Sequence, residues 1–330
     1  MGCLLLVALV FAWPAHAQHD WQKPNALIAR AEVETIIGPV EHTEPERDLR
    51  IVWVWGRDTN HGPGAHEYVR VRDAMVALLG QVPRVTVETA RGFPTARQFA
   101  EADLVVMYLH LPPLDAEDFT NLRAYIERGG GVVALHETAI IRPAEAGKKL
   151  ARCIGMSWNE GSSKWGALFE PVRVETHHPI FNGFPERLAL SDEFYWDLNH
   201  DGDVEVIGDV RVGPAAHSKG PVDAAALSEK RHPAIWTLEA GKGRVFGTTI
   251  GHNTFTYFDP RFRIMLFRAM AWAMRTRPDP FMPLVFAGIT DDKGMVGTTD
   301  DMRDPEIKAK AIAAARGETQ EDLREREPAS

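Results

Sequence analysis

Four short apolar runs between Arg47 and Glu137, with helical periodicity between them, constrain this chain more than any other feature. "RDLRIVWVWG" is a charged lead-in followed by a buried-type strand that stops at Gly56. "GPGAHEYVRVRDAMVALLG" then carries Val69, Met75, Val76 and Leu79 at helical spacing, with Gly80 as a stop. "RVTVETA" and "ADLVVMYLH" read as two further strands. "DAEDFTNLRAYIERGGG" reads as a helix capped by Asp115, with Phe119, Leu122 and Ile126 on one face and glycine at its end. "GVVALHE" closes the series. A β-α-β alternation of this kind predicts an α/β fold with a parallel sheet and right-handed crossovers. "HPAIWTLEAGKGRVFGTTIGH" predicts a later hairpin with a Gly-Lys-Gly turn, and "RFRIMLFRAMAWAM" a final amphipathic helix.

The ends of those strands set the functional question. In open parallel sheets, ligands bind beyond the carboxyl ends of the strands. Here the first strand leads to His61, His66 and Glu67, the third ends on His110, the fourth on His136-Glu137, and the hairpin on His252. "SDEFYWD" adds Asp192 and Glu193 after an apolar segment. One strand-end histidine is usually a hydrogen-bonded loop residue, whereas several on one edge point to a site. Imidazoles with carboxylates suit either of two chemistries, divalent-metal binding or general acid–base work near neutral pH. The spacing decides neither. Candidate catalytic residues are His66, His136, Glu137, Asp192, Glu193 and His252, and candidate ligands of a divalent metal are His66, His136, Glu193 and His252. His136 sits where a nucleophile elbow would present its side chain. No Ser or Cys is there, and Cys153 lies at an expected helix end, where a buried inert thiol is the expected state. "THHP" before Ile180 reads as a turn punctuated by Pro179. Trp158, Trp165, Tyr195, Trp196, Tyr257 and Phe258 cluster in the second half. Such rings pack cores or stack on sugars; Trp158, Tyr195 and Trp196 are the candidate substrate-binding rings.

Composition narrows the classes. With 45% hydrophobic and 25% charged residues the chain is of globular type, and a net charge of −9 disfavours nucleic acid or an anionic membrane surface as partner. "RGGG" precedes a strand instead of joining a strand to a helix, so no nicotinamide or nucleotide cofactor is expected. "CLLLVALVFAW" followed by "AHA" predicts a signal peptide over residues 1–17, cleaved after Ala17, and a periplasmic or secreted protein. Cys153 would then be the single cysteine of the mature chain, which excludes an internal disulfide. Residues 18–47 read as a lead-in, 48–277 as one α/β domain, and 278–330 as a charged, partly disordered extension.

"GGGVVALHETA", "HPIFNGFP", "SDEFYW", "HPAIWTLEAGKGRVFGTTIGH" and "FDPRFRIMLFRAMAWA", in this order, resemble the ThuA-like family, named after trehalose utilisation. The resemblance runs from about Arg50 to Met274. It implies a flavodoxin-like three-layer sandwich with a mainly parallel sheet, similar to class I glutamine amidotransferases but without their cysteine, His136 filling the matching region. It also implies a role in sugar metabolism, near the oxidation of disaccharides to 3-keto sugars, and carries over the motif positions His66, His136, Asp192, Glu193 and His252. The leading expectation is an exported enzyme acting on a disaccharide, glycoside or oxidised sugar by a hydrolytic, lyase or isomerase step. The rivals are a non-catalytic sugar-binding module and an accessory subunit of a sugar oxidoreductase. A carbohydrate is the expected ligand, and a second copy of the chain or an oxidoreductase the candidate protein partner.

Overall fold

The computed structural model describes residues 22–58, 60–201, 203–212 and 230–298. The expected leader and the charged tail beyond residue 298 lie outside them. The chain enters through β1 (Ile28–Ala29) and α1 (Arg30–Ile37). It then builds β2 (Leu49–Trp55), α2 (Tyr68–Leu79), β3 (Val85–Arg91), α3 (Ala96–Glu101), β4 (Leu104–Tyr108), α4 (Ala116–Glu127) and β5 (Gly131–Leu135). A 3-10 turn over His136–Ala139 and α5 (Ala144–Ile154) follow. The middle of the chain holds short strands: β6 (Met156–Ser157), β7 (Lys164–Ala167), β8 (Val172–Val174), β9 (Arg187–Leu188), β10 (Glu193–Trp196) and β11 (Asn199–His200). Then come β12 (Glu205–Arg211), β13 (Arg231–Ala240), β14 (Gly243–Thr248), α6 (Pro260–Ala273) and β15 (Met295–Val296).

Nine strands form one sheet in the order β3-β2-β4-β5-β14-β13-β12-β8-β9. From β3 to β14 the neighbours run parallel; β13, β12, β8 and β9 extend the sheet antiparallel. The predicted hairpin is β13–β14. Strand alternation sorts side chains into two cores. Ile51, Trp53, Leu104, Val106 and Val133 face α2 and α6, while Val52, Val54, Val105, Met107 and Val132 face α3, α4 and α5. This is the expected three-layer α/β sandwich. The strand order reverses between β2 and β4, with β3 on one side of β2 and β4 on the other, and in open α/β sheets ligands bind at the carboxyl ends of the strands beside such a switch point.

The triple glycine is explained by close approach. Gly129 continues past the end of α4 with φ +123, a Cβ on Gly130 would meet the Tyr125 ring at 2.3 Å, and one on Gly131 would meet the Ala273 carbonyl oxygen at 2.7 Å. Pro171, which has no N–H for a ladder, lies in the break between β7 and β8. The lead-in holds α1, whose Val33 and Ile36 are buried. Beyond residue 277, Phe281, Met282, Leu284 and Val285 enter the core, and β15 pairs with β1. Among the described residues no helix is long and apolar enough to cross a membrane.

Candidate functional site

The site assembles at the strand ends that the sequence marks. β5 ends at Leu135, and the chain turns sharply at His136, whose φ of +51 is left-handed. His66, in the loop before α2, has the same φ. Its backbone N–H donates to the His252 carbonyl at 3.0 Å, so the loops after β2 and β14 are fastened together. Gly251 is required just before: its φ is +130, and a Cβ there would meet the Tyr257 hydroxyl at 2.7 Å. On β10 the two-residue period points Glu193 and Tyr195 to one face and Phe194 and Trp196 to the other.

These elements bring His66, His136, Glu193 and His252 into one buried group, with one donor atom from each lying within 4.8 Å of all the others. His66 Nε2 is 2.9 Å from His252 Nδ1 and 3.1 Å from His136 Nε2. Glu193 Oε1 is 3.2 Å from His252 Nδ1 and 3.6 Å from His136 Nε2. Donors bound to one zinc-like cation at about 2.0–2.2 Å stand roughly 3.3–3.6 Å apart in a tetrahedron, close to this spacing.

The outer contacts favour the same reading. His136 Nδ1 is 2.7 Å from the Thr249 carbonyl, which can only accept, so the proton sits on Nδ1 and Nε2 keeps its lone pair. His66 Nδ1 is 2.6 Å from Glu137 Oε2, which likewise leaves His66 Nε2 as a lone pair. The two lone pairs thus face each other at 3.1 Å, with His252 Nδ1 beside His66 Nε2 and the Tyr195 hydroxyl beside His136 Nε2 as the nearest proton donors, and a cation is the one partner that would satisfy both at once. A carboxylate or backbone carbonyl behind a ligating imidazole is the usual way a metal site fixes its histidines.

Electrostatics favours ligation for His136 and His66. Burial, followed by the neighbouring imidazoles His66 and His252, holds His136 well below the usual histidine range. Burial also lowers His66, with partial compensation from Glu137. Both rings are therefore neutral and able to ligate. Burial pushes His252 down, but Glu193 beside it raises it overall. Burial pushes Glu137 up, yet hydrogen bonds from His110 and His66 hold its carboxyl far below the usual range.

Glu137 and Asp192 thus differ from the expectation of catalytic groups facing the centre. Glu137 is gripped by His66, by the Tyr68 hydroxyl and by His110 Nδ1 at 2.8 Å. Asp192 is buried behind the cluster. Its Oδ1 accepts from the backbone N–H groups of Glu193 at 2.7 Å and His252 at 3.0 Å, and its Oδ2 accepts from the Thr256 hydroxyl. Asp192 therefore positions two of the ligands. Burial raises its carboxyl to about 7. At the mouth, His61 stacks on His66 with ring centroids 3.8 Å apart and is held by Asp58, whose Oδ2 is 3.1 Å from His61 Nδ1.

A family model described as ThuA, trehalose utilisation, matches residues 52–273. The chain belongs to the ThuA family. The description implies carbohydrate metabolism. No curated protein matches the sequence. Among solved structures, a ThuA-like protein from Parabacteroides merdae ATCC 43184 is similar at 16% identity with a TM-score of 0.52, covering 78% of this chain and 100% of that one. A ThuA-like protein from Bacteroides uniformis ATCC 8492 is similar at 16% identity with a TM-score of 0.50, covering 78% of this chain and 98% of that one. At these identities the likeness concerns the fold.

In this ThuA chain the three candidate stacking rings have separate fates. Tyr195 joins the cluster, its hydroxyl 2.8 Å from His136 Nε2. Trp158 is half-buried and meets Tyr195 edge to face at 5.5 Å. Trp196 is 1% exposed in the core against Phe194, so it has no face to offer a sugar. Tyr257 is also core, and Trp165 and Phe169 are exposed. Sequence reading passed over Tyr68, which looks like an ordinary first-turn helix residue, and left His110 outside the site; both meet Glu137, 69 and 27 residues away. The only signal for His110 was its position just after a strand end, and Tyr68, the first residue of α2, carried none.

Proposed function

We propose that the chain is an enzyme of carbohydrate metabolism that holds one divalent cation of the zinc class on His66, His136, Glu193 and His252. The observation that carries this reading is the pair of imidazole lone pairs, His66 Nε2 and His136 Nε2, facing each other at 3.1 Å with their opposite nitrogens committed to Glu137 and to the Thr249 carbonyl. A bound cation would supply a Lewis acid for a carbonyl or hydroxyl oxygen. His66, His136, Glu193 and His252 would hold it, Glu137 and Asp192 would orient these ligands, and the half-buried Trp158 would flank a sugar. The family description supports a disaccharide, glycoside or oxidised sugar as substrate, transformed by hydrolysis, elimination or isomerisation. The apolar run ahead of Ala17 supports export to the periplasm or beyond.

The test is elemental metal content of the purified mature protein, wild type beside His136→Ala. A stoichiometric divalent metal in the wild type, lost in the variant, is expected, and a screen of glycosides and keto sugars for metal-dependent turnover follows. No metal in either protein, together with sugar binding indifferent to the substitution, would make the chain a non-catalytic binding module.

A further inference from the structure

We propose that Tyr195 is the substrate-contacting donor of this site, its O–H aimed at a charged or strongly polarised oxygen that a ligand brings to the cluster beside His136. The inference rests on the metal reading above and concerns what that site binds.

Tyr195 reaches the site because it lies two residues after Glu193 on β10, so the two side chains share one face of the strand. Its ring is held on both sides. The His136 ring lies 4.7 Å away at 31°, and Trp158 meets it edge-on at 5.5 Å. A buried phenol packed in this way has little rotational freedom, and its hydroxyl direction is set by the protein.

The acceptor is the informative part. Tyr195 Oη is 2.8 Å from His136 Nε2. His136 carries its proton on Nδ1, toward the Thr249 carbonyl, so Nε2 is an acceptor and the phenol donates. That nitrogen is also the one that faces His66 Nε2 and Glu193 Oε1. The phenol and a cation therefore compete for one lone pair. When a cation takes it, Tyr195 loses its acceptor while still buried, and a buried hydroxyl without a partner is costly. The oxygen of a ligand entering the same face is the replacement acceptor.

Other buried phenols nearby are committed elsewhere. Tyr68 donates to Glu137, and Tyr108 donates to the Gly251 carbonyl at 2.9 Å. Tyr195 is the phenol whose partner a bound cation would displace. A donor waiting at such a position favours a ligand whose oxygen carries negative charge, because charge-assisted hydrogen bonds are the stronger ones. The matching class is a carboxylate, a hydroxamate or the enolate of a keto sugar, more than a plain sugar hydroxyl.

The experiment loads wild type, Tyr195→Phe and Tyr68→Phe with cobalt(II), then titrates each with acetohydroxamate and follows the visible cobalt absorption. In Tyr195→Phe cobalt affinity is expected to stay within about threefold of wild type while acetohydroxamate binding weakens about tenfold or more. Tyr68→Phe is expected to do the reverse, weakening cobalt and leaving acetohydroxamate affinity of the loaded protein unchanged. Equal acetohydroxamate affinity in wild type and Tyr195→Phe would overturn the proposal. So would a loss of cobalt binding in Tyr195→Phe, which would make the phenol a ligand and not a donor. Failure of the wild type to bind cobalt at all would instead remove the metal reading, and this inference with it.

Discussion

Glu137 contributes none of the four facing donor atoms, yet it fixes how one of them is presented. It accepts at His66 Nδ1, and two further groups, Tyr68 and His110, hold it in place. Replacing it with Gln keeps the shape and removes the charge that pins the His66 proton. Metal affinity of Glu137→Gln is expected to fall about 10- to 100-fold while the far-ultraviolet circular dichroism stays that of the wild type, as measured by competition with a chromogenic chelator. His66, His136, Glu193 and His252 were legible in the sequence because each lies at or near the end of a strand with a clear apolar pattern. The grip on Glu137 was not legible. It joins residues from the ends of three strands, and nothing local to Tyr68 marks its hydroxyl as more than a helix-surface group.

At the level of elements, two buried arginines of α6 anchor the chain ends. Arg268 Nη2 donates to the carbonyls of Ile36 at 2.9 Å and Ile37 at 3.1 Å, and its Nη1 donates to Asn182. Arg263 Nη1 donates to the Ala287 carbonyl at 2.7 Å. Burial lowers each guanidinium to about 10, so both remain charged at neutral pH. Arg268→Met is expected to cost at least about 2 kcal/mol in urea unfolding, since it orphans several carbonyls, and to raise amide exchange across α1 first. How α1 and the segment after residue 277 join the body was not legible, because in an apolar stripe like that of α6 nothing marks Arg263 and Arg268 as buried. On the antiparallel side, Glu170 meets Arg211 on β12 and Arg231 on β13. Partial burial pushes Glu170 up, but hydrogen bonds from Arg211 and the charges of Arg211 and Arg231 lower it overall. A lowered carboxylate stabilises the fold above its unfolded pKa, near about 4.3, and that contribution disappears as the pH falls through the folded value. The gap in urea midpoint between wild type and Glu170→Gln should therefore be present at pH 7 and close below about pH 4.

For the whole molecule, the cluster joins loops after β2, β5 and β14 to β10, so a cation held there ties the parallel half of the sheet to the short strands beside it. Zinc at a hundredfold excess over its Kd is expected to add about 2.7 kcal/mol to stability, seen as a raised melting temperature that a chelator reverses and that His136→Ala lacks. The sandwich was legible because strand and helix periods differ, and the layers follow from that difference alone. The antiparallel extension was only partly legible, since β8 and β9 are too short to show a period. Both His66 and His136 have φ of +51, a conformation that suits glycine and strains an imidazole-bearing residue. Glycine at either position would relieve that strain but empty a buried volume, so each turn is held in its strained form by what its own ring grips, Glu137 for His66 and the Thr249 carbonyl for His136.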